Sequence, residues 1–369
     1  MKQVKVFFVI TFLSLLCLPL INFNFKGEES IIEKRKLNSF PIVTITNILN
    51  SKFYTQIDNY LNDRLGFKTQ MIELNANIKY KILKDAGNDR ALVGKDRWLF
   101  YIQRSDGDNY NDFLKNNLVN EDEIAKFVKQ IKLRSEWCSK NNIQFIFLIT
   151  PNKHSIDSEF YPIKTPSKIS RTDQFLNSLN NNNIDYIYPR DLLLSKKDSI
   201  LLYYKTDTHW NENAGFYTFD ELLLPEIVSK FPDVTFTKYE YNLNRIVTAK
   251  EGGIVPLLGL KSYNNSTFFI YIPKKYQWSD IYSFVNFNNG NKTISINKNT
   301  LLPKALIFHD SFFNTLQPFT STMFSEAEYK NIFFEETDKE YILHSKPDLI
   351  IWEVVERYID RIPNSSWKE

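Results

Sequence analysis

Cysteine is nearly absent from this chain. It has two in 369 residues, and Cys17 lies inside an apolar run near the N-terminus. Cys138 is left without a partner, which excludes a disulfide framework. Its helical spacing from Ile124, Phe127, Val128 and Ile131 marks a buried, inert thiol. A strong charge bias is missing too: 46 basic against 43 acidic residues give a net charge of +3, with no Lys/Arg stripe in the body of the chain. That excludes nucleic acid as a partner. No internal repeat occurs, and 43% hydrophobic with 24% mixed charged residues excludes a disordered chain. What remains is a globular protein, long enough for one main α/β domain with appendages. Aromatics reach 15%, which suits core packing first and flat sugar-stacking surfaces second.

Val6 to Ile21 is an unbroken apolar or small run behind Lys2 and Lys5. At 1.5 Å per residue a helix of that length reaches about 24 Å, a little short of a bilayer core, and Phe23 and Phe25 extend it to the interface. The basic start predicts a cytoplasmic N-terminus, with the rest of the chain exported. Pro19-Leu20-Ile21 lacks the small residues of a cleavage site, which favours a retained membrane anchor over a cleaved signal peptide; cleavage would leave a secreted or periplasmic protein. Leu16 is too large for Cys17 to be read as a lipidation site.

Residues 1–25 are therefore read as the anchor. Residues 26–90 are read as a charged linker and a small helical subdomain, with apolar spacing at Ile57, Leu61, Leu65, Met71, Leu74, Ile78 and Ile82 interrupted near Gly66. From 91 to 369 the pattern alternates. Helices are expected over Asp122–Lys140, Arg171–Leu179, Asn211–Leu224 and Phe312–Phe324, with Asn211 a helix cap. Strands are expected at Gln144–Ile149, Asp185–Tyr188, Ala305–Phe308, Asn331–Phe334 and Asp348–Val355. This alternation implies a mostly parallel central sheet flanked by helices. Residues 225–300 break the rhythm and read as a β-rich insertion.

Ligands bind outside the carboxyl ends of parallel strands. Four segments fall there: Pro151–His154, Asp207 with His209, Asp310-Ser311, and Glu353–Arg357. A serine hydroxyl becomes a nucleophile when an imidazole takes its proton, and a carboxylate holds that imidazole in the right tautomer. Ser311, His209 and Asp207 supply the three groups, and the strand-to-helix position gives Ser311 a free main-chain N–H and a helix-terminus field. Each also has an ordinary reading, as a helix cap or a surface pair. Asn152 and Lys153 are candidates for holding a carbonyl oxygen or an anionic sugar. His309 is a candidate oxyanion or substrate contact, and Trp210 a substrate contact. Asp310 is expected to bond its own turn, and Glu356 and Arg357 to be structural. A metal site drafting His154 or His309 is the weaker reading, because the ligands do not cluster.

Thr206-Asp207-Thr208-His209-Trp210 followed by Gly215 resembles the Asp-x-His-Trp motif of SGNH-hydrolase-like polysaccharide O-acetyltransferases of the alginate type. Asp63–Phe67, Gly94–Phe100, Pro151–Lys153, Asp185–Asp191 and Asp310–Phe312 follow in the same order, so the resemblance spans roughly residues 40–360. It implies an SGNH-like sandwich fold, with Ser311 acylated, His209 the base and Asp207 its orienting acid. It also implies an extracytoplasmic acyltransferase that acetylates a cell-surface or exported polysaccharide such as an exopolysaccharide or cell-wall glycan. A membrane-bound O-acyltransferase partner would supply the acetyl group, and no metal or diffusible cofactor is needed. The Asp/His pair precedes the serine, as in the acetyltransferase branch. His309 stands where relatives often carry glycine, and Gly252-Gly253-Ile254 where they often carry Gly-Asp-Leu. An SGNH-type O-acetylesterase and a non-catalytic glycan-binding scaffold remain the alternatives.

Overall fold

In the computed structural model the chain forms two units, Met1–Lys84 with Gly259–Lys261, and Asp85–Leu258 with Ser262–Glu369. Every residue is described except 1, 26–28, 31–34, 84, 167, 249–251, 261–265, 287–291, 366 and 369, so much of the expected 26–36 linker lies outside the described residues.

The first unit begins with α1 (Lys2–Ile21), the single described helix long and apolar enough to cross a membrane. After a single turn at Ile45–Ile48 come two longer helices, α2 (Ser51–Arg64) and α3 (Lys68–Ile78), and a wider helical turn continues α3 to Leu83. Asn50 starts α2 by accepting the Lys52 N–H at 3.0 Å. Leu65 leaves the helix in an extended conformation and Phe67 turns the chain with a φ of 59°. The apolar spacing of α3 predicts a core-facing stripe; instead Met71, Leu74, Ile78 and Ile82 are exposed.

The second unit opens with an antiparallel hairpin, β1 (Ala91–Val93) with β2 (Leu99–Tyr101). Helix α4 (Glu121–Lys140) carries an Asn120–Glu123 capping box and buries Phe127, Ile131 and Cys138. After it come β3 (Gln144–Thr150), α5 (Arg171–Asn181) and α6 (Glu212–Thr218). A second hairpin pairs β4 (Tyr241–Thr248) with β5 (Ser266–Pro273). The remaining strands are β6 (Tyr282–Asn286), β7 (Lys292–Asn297), β8 (Lys304–Phe308), β9 (Glu326–Lys330) and β10 (Leu349–Val355).

Six strands form one sheet in the order β3-β10-β8-β9-β7-β6. The first four run parallel; β7 and β6 extend the edge antiparallel. Central β10 is buried along its whole length, as a strand covered on both faces must be. Alternation sends Leu148, Ile307 and Ile351 into one apolar layer with Trp210, Phe312 and Phe313. The opposite face carries Phe147, Ile149, Phe308 and Trp352 against Phe127 and Ile131 of α4. Each such side chain, fully buried, stabilises the fold by about 1.5–3 kcal/mol.

Four expectations need correction. Asn331–Phe334 is not a strand; the strand is Glu326–Lys330, whose charges hide the alternation of Ala327 and Tyr329 into the core. Asp185–Tyr188 contributes one parallel bridge, Leu148 with Ile187. The helix expected over Phe312–Phe324 is a 3-10 segment, Ser311–Thr315, and one turn at Gln317–Thr320, so the field of a long helix is not available to Ser311. Residues 225–300 are not a self-contained insertion, because β6 and β7 pair onto the central sheet through β9.

Candidate active site

Chain reversal at the end of β8 exposes Ser311. Asp310 makes this turn: its Oδ1 accepts the Phe312 N–H at 2.8 Å and its Oδ2 the Val355 N–H at 2.7 Å. Its own N–H donates to Glu353 Oε2 at 2.9 Å, and Glu353 Oε1 accepts the Thr150 hydroxyl at 2.6 Å. The ends of β3, β8 and β10 are thus laced together beneath the serine. Burial, and then the neighbouring Asp310, push the Glu353 carboxyl well above the usual range.

Asp207 and His209 lie on the loop leading to α6. Asp207 Oδ1 accepts the His209 main-chain N–H at 3.0 Å, folding the two residues onto each other. The same oxygen lies 2.6 Å from His209 Nδ1, and His209 Nε2 lies 2.7 Å from Ser311 Oγ. Burial raises the Asp207 carboxyl pKa. The His209 ring, its charge and the amides of Gly253 and His209 outweigh that and hold it far below the usual range. An ionised carboxylate only accepts, so the imidazole proton sits on Nδ1 and Nε2 is left to accept the Ser311 hydroxyl. Side chains of His209 and Asp207 are 33% and 21% exposed, so a ligand can reach them.

Trp210 is fully buried and donates from Nε1 to the Phe312 carbonyl at 2.8 Å. It braces the serine turn and is not a substrate contact, as its burial requires. Asn211 caps α6 by accepting the N–H groups of Asn213 and Ala214. Gly215 brings that helix against the turn, where a β-carbon would stand 2.5 Å from Thr315 Oγ1.

Lys153 is only 4% exposed. Its ammonium donates to the carbonyls of Leu99 at 2.8 Å, Tyr204 at 2.7 Å, Lys205 at 2.9 Å and Asp207 at 3.1 Å. Burial lowers its pKa, opposed by Asp157 and Asp207. The expected sugar contact is therefore corrected: this lysine is spent on the loop that carries Asp207. His309 is likewise buried, packed on Phe313 and Tyr329, with Nδ1 2.6 Å from the Asp310 carbonyl. Burial lowers its pKa, so its ring is a neutral brace rather than an open substrate contact.

Asn152, at the end of β3, is buried and donates its N–H to Glu356 Oε2 at 2.8 Å. Among the described residues its side-chain nitrogen has no hydrogen-bond partner, which leaves its two N–H donors available. Glu356 also accepts the Ser155 hydroxyl, and the Arg357 guanidinium stacks 5.2 Å from the Phe312 ring. One contributor escaped the sequence reading. Gly253 N–H donates to Asp207 Oδ2 at 2.6 Å, a main-chain contact to the carboxylate oxygen that does not face His209. Its signal is the Gly252-Gly253 pair, which stands where relatives of the resembled family often carry Gly-Asp, a departure to which the sequence alone gives no role.

Residues 91–222 match the family described as SGNH hydrolase-like domain, acetyltransferase AlgX, which bears out the resemblance over the segment holding Asp207 and His209 and stops short of Ser311. Among solved structures, PatB1 of Bacillus cereus aligns with a TM-score of 0.53 at 16% identity, over 74% of this chain and 97% of that one. A DHHW family protein from Eubacterium siraeum aligns with a TM-score of 0.50 at 14% identity, over 76% and 97%. The O-acetyltransferase domain of Pseudomonas putida AlgJ gives 0.49 at 16% identity, over 73% and 92%. The first two establish a shared fold. No curated protein matches the chain in sequence.

Proposed function

We propose that this chain, whose residues 91–222 carry an SGNH hydrolase-like domain of the AlgX acetyltransferase type, is a membrane-anchored O-acetyltransferase acting on an extracytoplasmic polysaccharide. One observation carries the reading: the unbroken line from Ser311 Oγ to His209 Nε2 at 2.7 Å and from His209 Nδ1 to Asp207 at 2.6 Å. In the first half-reaction Ser311 Oγ attacks the acetyl carbonyl of a donor ester as His209 Nε2 takes the hydroxyl proton. The donor C–O bond breaks, and the imidazolium returns that proton to the leaving oxygen. In the second half a sugar hydroxyl gives its proton to His209 and attacks acetyl-Ser311. The serine ester bond breaks, and Oγ is reprotonated. Asp207 stabilises each imidazolium without taking a proton. The Ser311 main-chain N–H and the unpaired Asn152 amide are the donors we assign to the tetrahedral oxyanion.

Helix α1 is read as a retained anchor that leaves the chain after it outside the cytoplasm. Acetyl-CoA is not expected there, so a membrane-bound O-acyltransferase is the donor partner. No metal is required by this chemistry.

The test is a chromogenic acetyl ester incubated with the full-length protein, with and without an oligosaccharide acceptor, read by release of chromophore and by acceptor mass. We expect an acetylated acceptor, with formation falling on the order of 10³-fold or more in Ser311→Ala. Chromophore release with no acetylated acceptor would mark an esterase. No turnover in either form would mark a glycan-binding scaffold.

A further inference from the structure

The stripe on α3 is not used by this chemistry. Met71, Leu74 and Ile78 recur at intervals of three and four and are followed by Ile82 in the next turn, so they share one face. Leu74 is 56% exposed, Ile78 43% and Ile82 70%, a surface that water alone does not favour.

Its location fixes what covers it. Gly66, in the elbow between α2 and α3, donates its N–H to the carbonyl of Pro19 at 2.8 Å. Asn24 N–H donates to the Arg64 carbonyl at 2.9 Å, and Arg64 Nη1 returns to the Asn24 carbonyl at 3.0 Å. A β-carbon at residue 66 would stand 2.5 Å from the Asn22 carbonyl oxygen, so only glycine allows this approach. Pro19 lies in the last turn of α1. The elbow is therefore bonded to the point where the apolar helix ends, and α3, which starts two residues after it, is about 16 Å long. Aromatic rings gather at the same place: Phe23 and Phe25 at 4.8 Å, Phe40 and Tyr60 at 5.1 Å, with Arg64 4.6 Å from the Tyr60 ring. A tyrosine and an arginine at the end of a span suit the headgroup level, with the phenylalanine rings on its apolar side.

We propose that α2 and α3 form a lipid-binding seat, with the Met71–Ile82 stripe laid into the headgroup–acyl boundary of the leaflet at which α1 ends. The proposal rests on the reading of α1 as a retained anchor. The surface is a second membrane contact beside the span, of the in-plane amphipathic kind.

Nitroxide labels on full-length protein in phosphatidylcholine–phosphatidylglycerol vesicles test it. In a Cys17→Ser background, Cys138 stays inert because burial pushes its thiol up to about 12. Leu74→Cys, Ile78→Cys and Ile82→Cys report on the stripe, Ile10→Cys on the span and exposed Asp58→Cys on water. Collision rates with oxygen and with a water-soluble nickel chelate are compared. We expect an oxygen-to-nickel ratio at the stripe several-fold above that at residue 58, approaching that at residue 10. A water-like ratio at the stripe with a lipid-like ratio at residue 10 overturns the seat and spares the anchor. Low collision with both reagents at the stripe means protein covers it, which also overturns the seat. A water-like ratio at residue 10 overturns the anchor reading and the seat with it.

Discussion

The ammonium of Lys153 donates to the main-chain carbonyl of Asp207 at 3.1 Å, so the segment after β3 holds the loop that carries the site carboxylate. Lys153→Met keeps most of the volume and removes every donor. Four carbonyls, that of Leu99 in a buried bond and the other three in part-buried ones, then lose a shared partner, each at a cost of up to about 1–3 kcal/mol, partly relieved by entering water. We expect a stability loss of at least about 3 kcal/mol by urea unfolding, with turnover of the acetyl ester lost in parallel. Wild-type stability in this variant would show that the loop holds itself.

The indole of Trp210 acts on the other side of the serine. Trp210→Phe preserves the aromatic packing but takes the 2.8 Å donor from the Phe312 carbonyl, leaving it the longer bond from the Thr315 hydroxyl at 3.3 Å. A loss of about 1–2 kcal/mol is expected. If part of it is felt at the serine, kcat falls about tenfold with KM unchanged, since 1.4 kcal/mol is a factor of ten. An unaltered kcat would reduce Trp210 to core packing.

Gly253 tests how Asp207 is kept ionised. Gly253→Pro deletes the N–H that binds Asp207 Oδ2, whereas Gly253→Ala keeps it and adds a β-carbon 3.2 Å from that oxygen. Loss of a donor to the carboxylate raises its native pKa, so the acid limb of the unfolding-stability curve, where the contribution of ionised Asp207 is lost, moves to higher pH in the proline variant. The alanine variant keeps the limb nearer to wild type. Asp207→Asn goes further, costing on the order of 10³–10⁴ in kcat by misplacing the imidazole proton. Equal acid limbs in all three glycine-site forms would place the stabilisation of Asp207 elsewhere.

Asp207, His209 and Ser311 were legible in the sequence because each follows an apolar strand or precedes a helix cap, and short-range patterns carry that information. Their supports were not. Lys153 reaches carbonyls more than fifty residues away, and carbonyls have no letter in a sequence. Glu353 joins Thr150 and Asp310 only because β3, β8 and β10 are neighbours in the sheet. Strand β9 was missed since Glu326, Glu328 and Lys330 alternate with Ala327 and Tyr329. Glu328 is nonetheless buried, held by Lys292 and the Tyr341 hydroxyl. The α3 stripe was legible as a helix, but the pattern that predicts a buried face predicts a lipid-covered one equally well.

Glu353 gives a pH signature of its own. Its carboxyl is pushed well above the ordinary 4.5, by burial first and Asp310 second. Unfolded, it releases its proton near the ordinary value. Between that value and the raised native one, the folded chain holds one more proton than the unfolded chain. Stability from this group is therefore greatest at low pH and declines as pH rises through that window. Glu353→Gln cannot titrate; its amide can still accept from Asp310 N–H and donate to Thr150. Urea unfolding of full-length protein in detergent should show the glutamine variant gaining on wild type as pH rises above the ordinary carboxyl value of 4.5. A difference that stays flat or shrinks would mean that Glu353 is ionised in the native protein, and that the lacing of β3, β8 and β10 depends on its charge.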